Sequence, residues 1–127
     1  MLWHFDNELP IYTQLVSRIK LAIATGELAP GSRMTPVRDL SLEAGVNPNT
    51  MQRALQQLER EGLVYSQRGN GRYITEDTAA VARVRDALAA GHVRRYREAM
   101  RGLGYSDEEM KALLSCGAEE DEDGKLP

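Results

Sequence analysis

Two signals to start a helix stand only 12 residues apart in this chain, Thr35-Pro36 and Asn47-Pro48. In each, a side chain able to accept from free backbone N–H groups precedes a proline. The proline's missing N–H costs nothing in a first helical turn. Gly45 stands between them as a stop, because glycine takes the left-handed conformation that ends helices. No single long helix can run through such punctuation. It predicts two short helices joined by a tight turn. Val37, Leu40, Ser41 and Ala44 keep one face of the first small or apolar. Met51, Ala54, Leu55 and Leu58 recur at i, i+3, i+4 and i+7 in the second, one stripe of a helix. Gly62 is its expected end.

The flanks fit around this pair. Pro10 suits a first helical turn, and Ile11, Leu15, Ile19, Ala22 and Ile23 then recur at helical spacing. A first helix is expected near 11–25, with Gly26 and Pro30-Gly31 closing it. After the pair, Leu63 to Gln67 and Arg72 to Thr75 have strand composition, and Gly69-Asn70-Gly71 between them tolerates positive φ. That is a hairpin pattern. A long helix rich in alanine and arginine is expected from about Thr78 to Arg101. Its apolar positions Val81, Val84, Leu88, Tyr96, Ala99 and Met100 lie near one stripe, interrupted by Gly91 and His92. Ser106 to Glu109 reads as a capping box for one more helix. The expected fold is mainly α with a small β-hairpin. A winged helix-turn-helix domain spans 1–77, a two-helix segment 78–116, and an acidic disordered tail 117–127.

If the apolar stripes of the pair are buried, the outer face of the second helix is set. It carries Asn47, Asn49, Thr50, Gln52 and Arg53. Such side chains suit a major groove: Gln and Asn pair with adenine, Arg with guanine, and the Thr methyl touches thymine. The free N–H groups near Asn47 to Asn49 could also hold a phosphate, although Pro48 removes one donor. Arg38 has two readings, a contact to the duplex or an exposed pair with Asp39 or Glu43. Arg68 and Arg72 flank the hairpin tip and can reach phosphates or a narrow minor groove. Gly69 and Gly71 would let the hairpin backbone approach the duplex.

Composition bounds the alternatives. The chain has 127 residues and a net charge of −3, which by itself does not suggest a nucleic-acid ligand. The distribution does: Arg33 to Arg72 carry six arginines against four acids, while Glu119 to Asp123 are five acids in a row. No apolar run reaches the ~18–20 residues a bilayer demands, and the first residues have no leader pattern. The single cysteine, Cys116, fits a reducing cytosol. His4 and His92 are isolated, so neither a metal site nor a catalytic constellation is expected. Gly69-Asn70-Gly71 opens no helix and is not a nucleotide loop. No cofactor is expected.

Six motifs in order then carry a resemblance. Pro10-Ile11-Tyr12-x-Gln14-Leu15, Gly26-Glu27-Leu28-x-Pro30-Gly31, Val37-Arg38-Asp39-Leu40, Gly45-Val46-Asn47-x-Asn49-Thr50, Ala54-Leu55-x-x-Leu58-Glu59-x-Glu61-Gly62-Leu63 and Arg68-Gly69-x-Gly71 resemble the GntR-type bacterial transcription regulators over roughly residues 9–75. The resemblance implies a winged-helix domain that works as a homodimer on a palindromic operator. It places DNA contacts at Arg38, at Asn47 to Thr50 with Gln52 and Arg53, and at Arg68 and Gly69. The chain departs from the family just before Arg38, with Met34-Thr35-Pro36 where the family has Leu-Pro-Ser. Thr35 can supply the phosphate-binding hydroxyl in place of that serine. The short two-helix extension is similar to the YtrA subgroup, which implies a repressor of a transporter operon and of its own gene, dimerised through those helices.

The stripe Val81, Val84, Leu88, Tyr96 and Met100 therefore reads as a dimer face. A small-molecule effector is left open, since two short helices do not easily enclose a pocket of about 300 Å³ or more. The alternative to a DNA-binding repressor is a winged-helix module that binds protein. It is favoured by the net negative charge and would show no salt-dependent binding to any duplex.

Overall fold

The structure is a computed structural model that describes residues 1–122, with side chains described through Cys116. Its elements are α1 (Ile11–Thr25), α2 (Val37–Ala44), α3 (Pro48–Arg60), β1 (Val64–Gln67), β2 (Gly71–Ile74), α4 (Thr78–Gly102) and α5 (Asp107–Glu122). The residues divide into two compact units, one from Met1 to Ala87 and the other from Leu88 onward.

The helix pair forms where the punctuation put it, by two different chemistries. Asn47 caps α3: its side-chain oxygen accepts from the Asn49 N–H at 2.8 Å, and Pro48 is the first helical residue. At α2 the expected cap is displaced by one. Pro36 itself is the N-cap residue, with φ −55 and ψ 148, and no side chain caps the helix. Thr35 lies outside it, because proline's fixed φ and extended ψ already set the entry. Pro10 holds the same position before α1. Gly45, at φ 71, ends α2. The Val46 N–H returns to Ser41 O at 3.0 Å and the Gly45 N–H to Leu42 O at 3.3 Å. This paired closure satisfies carbonyls the helix leaves free, and it turns the chain straight into α3.

The core of the first unit lies where α1 and α2 pack on α3. Leu15, Ile19 and Ile23 of α1 meet Leu40 of α2 and Met51, Ala54, Leu55 and Leu58 of α3, all buried. Each buried leucine or isoleucine contributes roughly 1.5–3 kcal/mol. Leu63, Val64 and Ile74 extend this core beneath the hairpin. β1 and β2 pair antiparallel, with Val64 opposite Ile74 and Ser66 opposite Arg72. Tyr65 and Tyr73 stack on the other face at 5.7 Å. The turn has an Asn70 N–H to Gln67 O bond of 2.9 Å and positive φ at Gly69.

Three features go beyond the expected fold. Residues 31–34 run beside β2 through an isolated antiparallel bridge of Arg33 with Tyr73, with Met34 N–H to Arg72 O at 2.8 Å and Ile74 N–H to Ser32 O at 2.9 Å. Met1, Trp3 and Phe5 pack on the core while Leu2 and His4 are exposed. And the first unit continues into α4: Ala80 is buried, and Val81 and Val84 pack against the same core. The boundary at 77–78 read from composition therefore falls before the unit ends. Those two valines, expected on a dimer face, are partly covered by their own chain.

In the second unit, α4 runs through Gly91 and His92 without a break and ends at Gly102. Ser106 and Glu109 form the reciprocal capping box at the start of α5. Asp107 accepts from Arg97 and Arg101, each at 3.2 Å. Met110 is buried, with 3% exposure. The α5 backbone continues to Glu122, past the boundary at 116, since Ala118, Glu119 and Glu120 favour helix. The side chains from 117 on and all of 123–127, where the disordered acidic tail was expected, lie outside the described residues.

Candidate nucleic-acid interface

Burial of Met51, Ala54, Leu55 and Leu58 turns the other side of α3 to solvent. Asn49, Arg53 and Gln56 are exposed there, and Thr50 and Gln52 are half-buried at its edges. Asn49, Gln52, Arg53 and Gln56 repeat at i, i+3, i+4 and i+7, so they form one stripe. Gln56 was missed in the sequence reading. The same helical count that defined the buried stripe defines this one and would have found it.

Arg53 does not swing freely. Its guanidinium carbon lies over the Tyr12 ring of α1, 4.8 Å from the centroid, a cation–π contact. Tyr12 packs against the core and also anchors one turn further along, donating from its hydroxyl to Gln57 at 3.5 Å. Among the described residues, no carboxylate pairs with Arg33, Arg38, Arg53 or Arg68. For Arg38 this disposes of the pairing with Asp39 or Glu43. Arg33, counted among the basic residues but assigned no site role, lies with its guanidinium against Gly71. A side chain added at Gly71 would stand 3.3 Å from the Arg33 Nε.

Arg72 behaves differently from its neighbours. Its side chain is 16% exposed and turns back onto α3, pairing with Glu59 through Nε and donating from Nη1 to the Gln52 side-chain oxygen at 3.3 Å. Ser66 across the hairpin also donates to Glu59, at 2.9 Å. So Arg72, read as a tip residue aimed at the duplex, is a strut between hairpin and helix. Partial burial pushes the Glu59 carboxyl upward, but the hydrogen bonds from Arg72 and Ser66 and the Arg72 charge outweigh it and hold the pKa below the ordinary value. Glu61 is lowered in the same way, with Lys20 at 2.7 Å and Gln57 overcoming its burial.

A depressed carboxylate pKa adds stability that is present above the unfolded value and is lost as pH falls through the folded one. The first unit should therefore lose stability as pH drops below about 4.3, the ordinary glutamate value. Urea unfolding followed between pH 7 and pH 3 should show this, and Glu59→Gln should make the decline shallower. An unchanged pH profile in that variant would mean that Glu59 is not a folding-linked carboxylate.

The two helix starts offer different anion sites. At α3 the Asn49 N–H is already taken by Asn47, and Pro48 has none. The cap thus uses one of the donors suggested there for a phosphate. At α2 the first intrahelical bond is Leu40 N–H to Pro36 O at 2.9 Å. The N–H groups of Val37, Arg38 and Asp39 lack intrahelical partners, and no side chain caps them. A cleft of about 220 Å³ lies beside them, lined by Arg33, Thr35, Pro36, Gly71 and Arg72. The Asp39 carboxylate in the first turn opposes an anion; the positive helix end and Arg33 favour one.

The remaining expected residues lie apart from the α3 stripe. Arg68, Gly69 and Gly71 stand exposed around the hairpin tip. Leu88, Tyr96 and Met100 are half-buried in the second unit, where Val93, Tyr96, Met110 and Leu114 line a groove of about 390 Å³. Among the described residues no His, Cys, Asp or Glu group could hold a metal ion, and no helix is long and apolar enough to cross a membrane.

A short helix pair whose second helix shows Asn, Gln and Arg to solvent, beside a glycine-tipped hairpin, defines a winged helix-turn-helix of the DNA-reading class. The family model described as "Bacterial regulatory proteins, gntR family" matches residues 11–74, and the chain belongs to that family. The uncharacterized HTH-type transcriptional regulator YhcF of Bacillus subtilis is 35% identical over 84% of this chain and 88% of its own. The HTH-type transcriptional repressor YtrA of the same organism is 38% identical over 56% of this chain and 55% of its own. A GntR family transcriptional regulator from Listeria monocytogenes has the same fold, with a TM-score of 0.81, 34% identity, and 87% of this chain and 97% of that chain covered. The DNA-binding domain of AraR, solved in complex with operator ORE1, gives a TM-score of 0.51 at 27% identity over 59% of this chain and 94% of that chain. The chain is a DNA-binding transcriptional regulator of the YtrA-like kind, not an enzyme.

Proposed function

We propose that the protein is a cytoplasmic homodimeric repressor of a palindromic operator, acting on a transporter operon and on its own gene. One observation carries the reading. In the α3 stripe Asn49, Arg53 and Gln56 are exposed and Gln52 lies half-buried at the edge, while Arg33, Arg38 and Arg68 form no ion pair among the described residues. In the complex, the stripe would enter the major groove. Arg38, the free N–H groups of α2 and Thr35 would hold the backbone, and Arg68 with Gly69 would lie along the neighbouring groove. The named repressor YtrA supports repression, and the AraR operator complex supports an operator as ligand.

The dimer is supported by the second unit. Val93 and Leu114 are 55% and 58% exposed beside half-buried Tyr96 and Met100, an apolar face a two-fold partner would cover. Two-fold symmetry would also set the recognition helices about one DNA turn, ~34 Å, apart. The test is a titration on an inverted repeat upstream of the protein's own gene. Expected is sequence-selective affinity whose logarithm falls linearly with log salt, by roughly 0.9 per phosphate neutralised. Equal affinity for a scrambled duplex, or a monomer by sedimentation at high micromolar concentration, would overturn the reading.

A further inference from the structure

We propose that Arg72 is a positioning residue for base readout: by holding the side-chain oxygen of Gln52, it leaves Gln52 presenting only N–H donors to the base edge. This rests on the reading of α3 as the recognition helix. Arginine has five donors and no acceptor. The Gln52 atom lying 3.3 Å from the Arg72 Nη1 is therefore its oxygen, and the NH₂ group is on the other side of the amide.

Arg72 is itself held. Its Nε is paired to Glu59, which also accepts from Ser66 at 2.9 Å. Strand parity explains the arrangement. Val64 and Ile74 face the core as a cross-strand pair, and Ser66 and Arg72 form the next pair on that same face. The hairpin thus reaches the recognition helix through one arginine with little freedom, its side chain only 16% exposed.

A glutamine free to turn can offer oxygen and NH₂ together to the N6 and N7 of adenine. Gln52, with its oxygen turned back toward the hairpin, can only donate. It should prefer a base edge that presents a keto oxygen, guanine O6 with N7 or thymine O4, over adenine. The hairpin would then set base preference without touching a base.

The experiment is selection of bound half-sites from a randomised duplex pool by the full chain and its variants, each also titrated with salt. In the parent chain, one base pair per half-site should favour guanine or thymine. Gln52→Ala should reduce discrimination at that pair about tenfold, within the range a single good base contact supplies. Arg72→Met, which keeps the aliphatic stem, should move the preference at the same pair toward adenine with no change in salt slope. In the Gln52→Ala background, Arg72→Met should change the preference no further. Glu59→Ala, which leaves Arg72 unanchored, should reproduce the shift toward adenine and serves if the Arg72 variant unfolds.

Three results would overturn the proposal. One is that Arg72→Met weakens binding to all sequences alike and flattens the salt slope by roughly 0.9, which is the mark of a phosphate contact. Another is that Gln52→Ala leaves every base preference intact. The third is that Glu59→Ala strengthens binding uniformly, as a released phosphate-binding arginine would. A parent chain with no base preference at all would instead remove the recognition-helix reading on which the proposal stands.

Discussion

Leu55→Ala is expected to lower the unfolding free energy of the first unit by about 2–5 kcal/mol. Leu55 is 0% exposed, at the centre of the α3 stripe that meets α1. Removing its three outer carbons forfeits their transfer free energy and leaves a cavity between helices that rigid neighbours cannot close. A small domain has roughly 5–15 kcal/mol in total, so the loss is a large fraction of it. Urea unfolding monitored by circular dichroism measures the change. Gln56→Ala, one residue on and fully on the solvent side, is the matched control and should stay within about 0.5 kcal/mol. The two variants should separate folding from recognition: Leu55→Ala loses stability first, and Gln56→Ala affects only binding. A midpoint shift for Leu55→Ala as small as that of the control would mean that α1 and α3 do not pack through this residue.

How much of this was legible in the sequence depends on how far each partner lies along the chain. The α2–α3 turn was legible because its causes are local. Asn47 caps a helix that starts one residue later, and Gly45 closes a bond network confined to Ser41–Val46. The small error at Pro36 was local too: proline geometry and a threonine cap give nearly the same pattern, and only the backbone shows which one operates. The site was less legible because its side chains are set by distant partners. Arg72 finds Glu59 13 residues away and Gln52 20 residues away, so composition alone presented it as one more basic residue at a tip. Its parity with Ile74 was the available signal, since residues two apart on a strand share a face. The alternation of Met1, Trp3 and Phe5 was a similar unused signal for the chain's first segment. Val81 and Val84 show the limit of stripes. A helical stripe says that a face is covered, not which surface covers it, and these two meet the first core.

Arg53→Ala is expected to weaken specific operator binding by about 1–3 kcal/mol if the guanidinium reads a base. The Tyr12 ring sharpens the expectation. A guanidinium resting on an aromatic face keeps its in-plane N–H donors available, and the contact at 4.8 Å removes rotamers that would otherwise have to be lost on binding. Tyr12→Leu should therefore weaken binding in the same direction as Arg53→Ala but by less, and should add nothing once Arg53 is gone. Discrimination at one base pair per half-site should relax with Arg53→Ala while the salt slope changes little. If Arg53 holds a phosphate instead, the loss should be equal on all sequences and the slope shallower by roughly 0.9. Retention of both full affinity and the original slope would rule out either contact, and the exposed α3 stripe would then have to read DNA through Asn49, Gln52 and Gln56 alone.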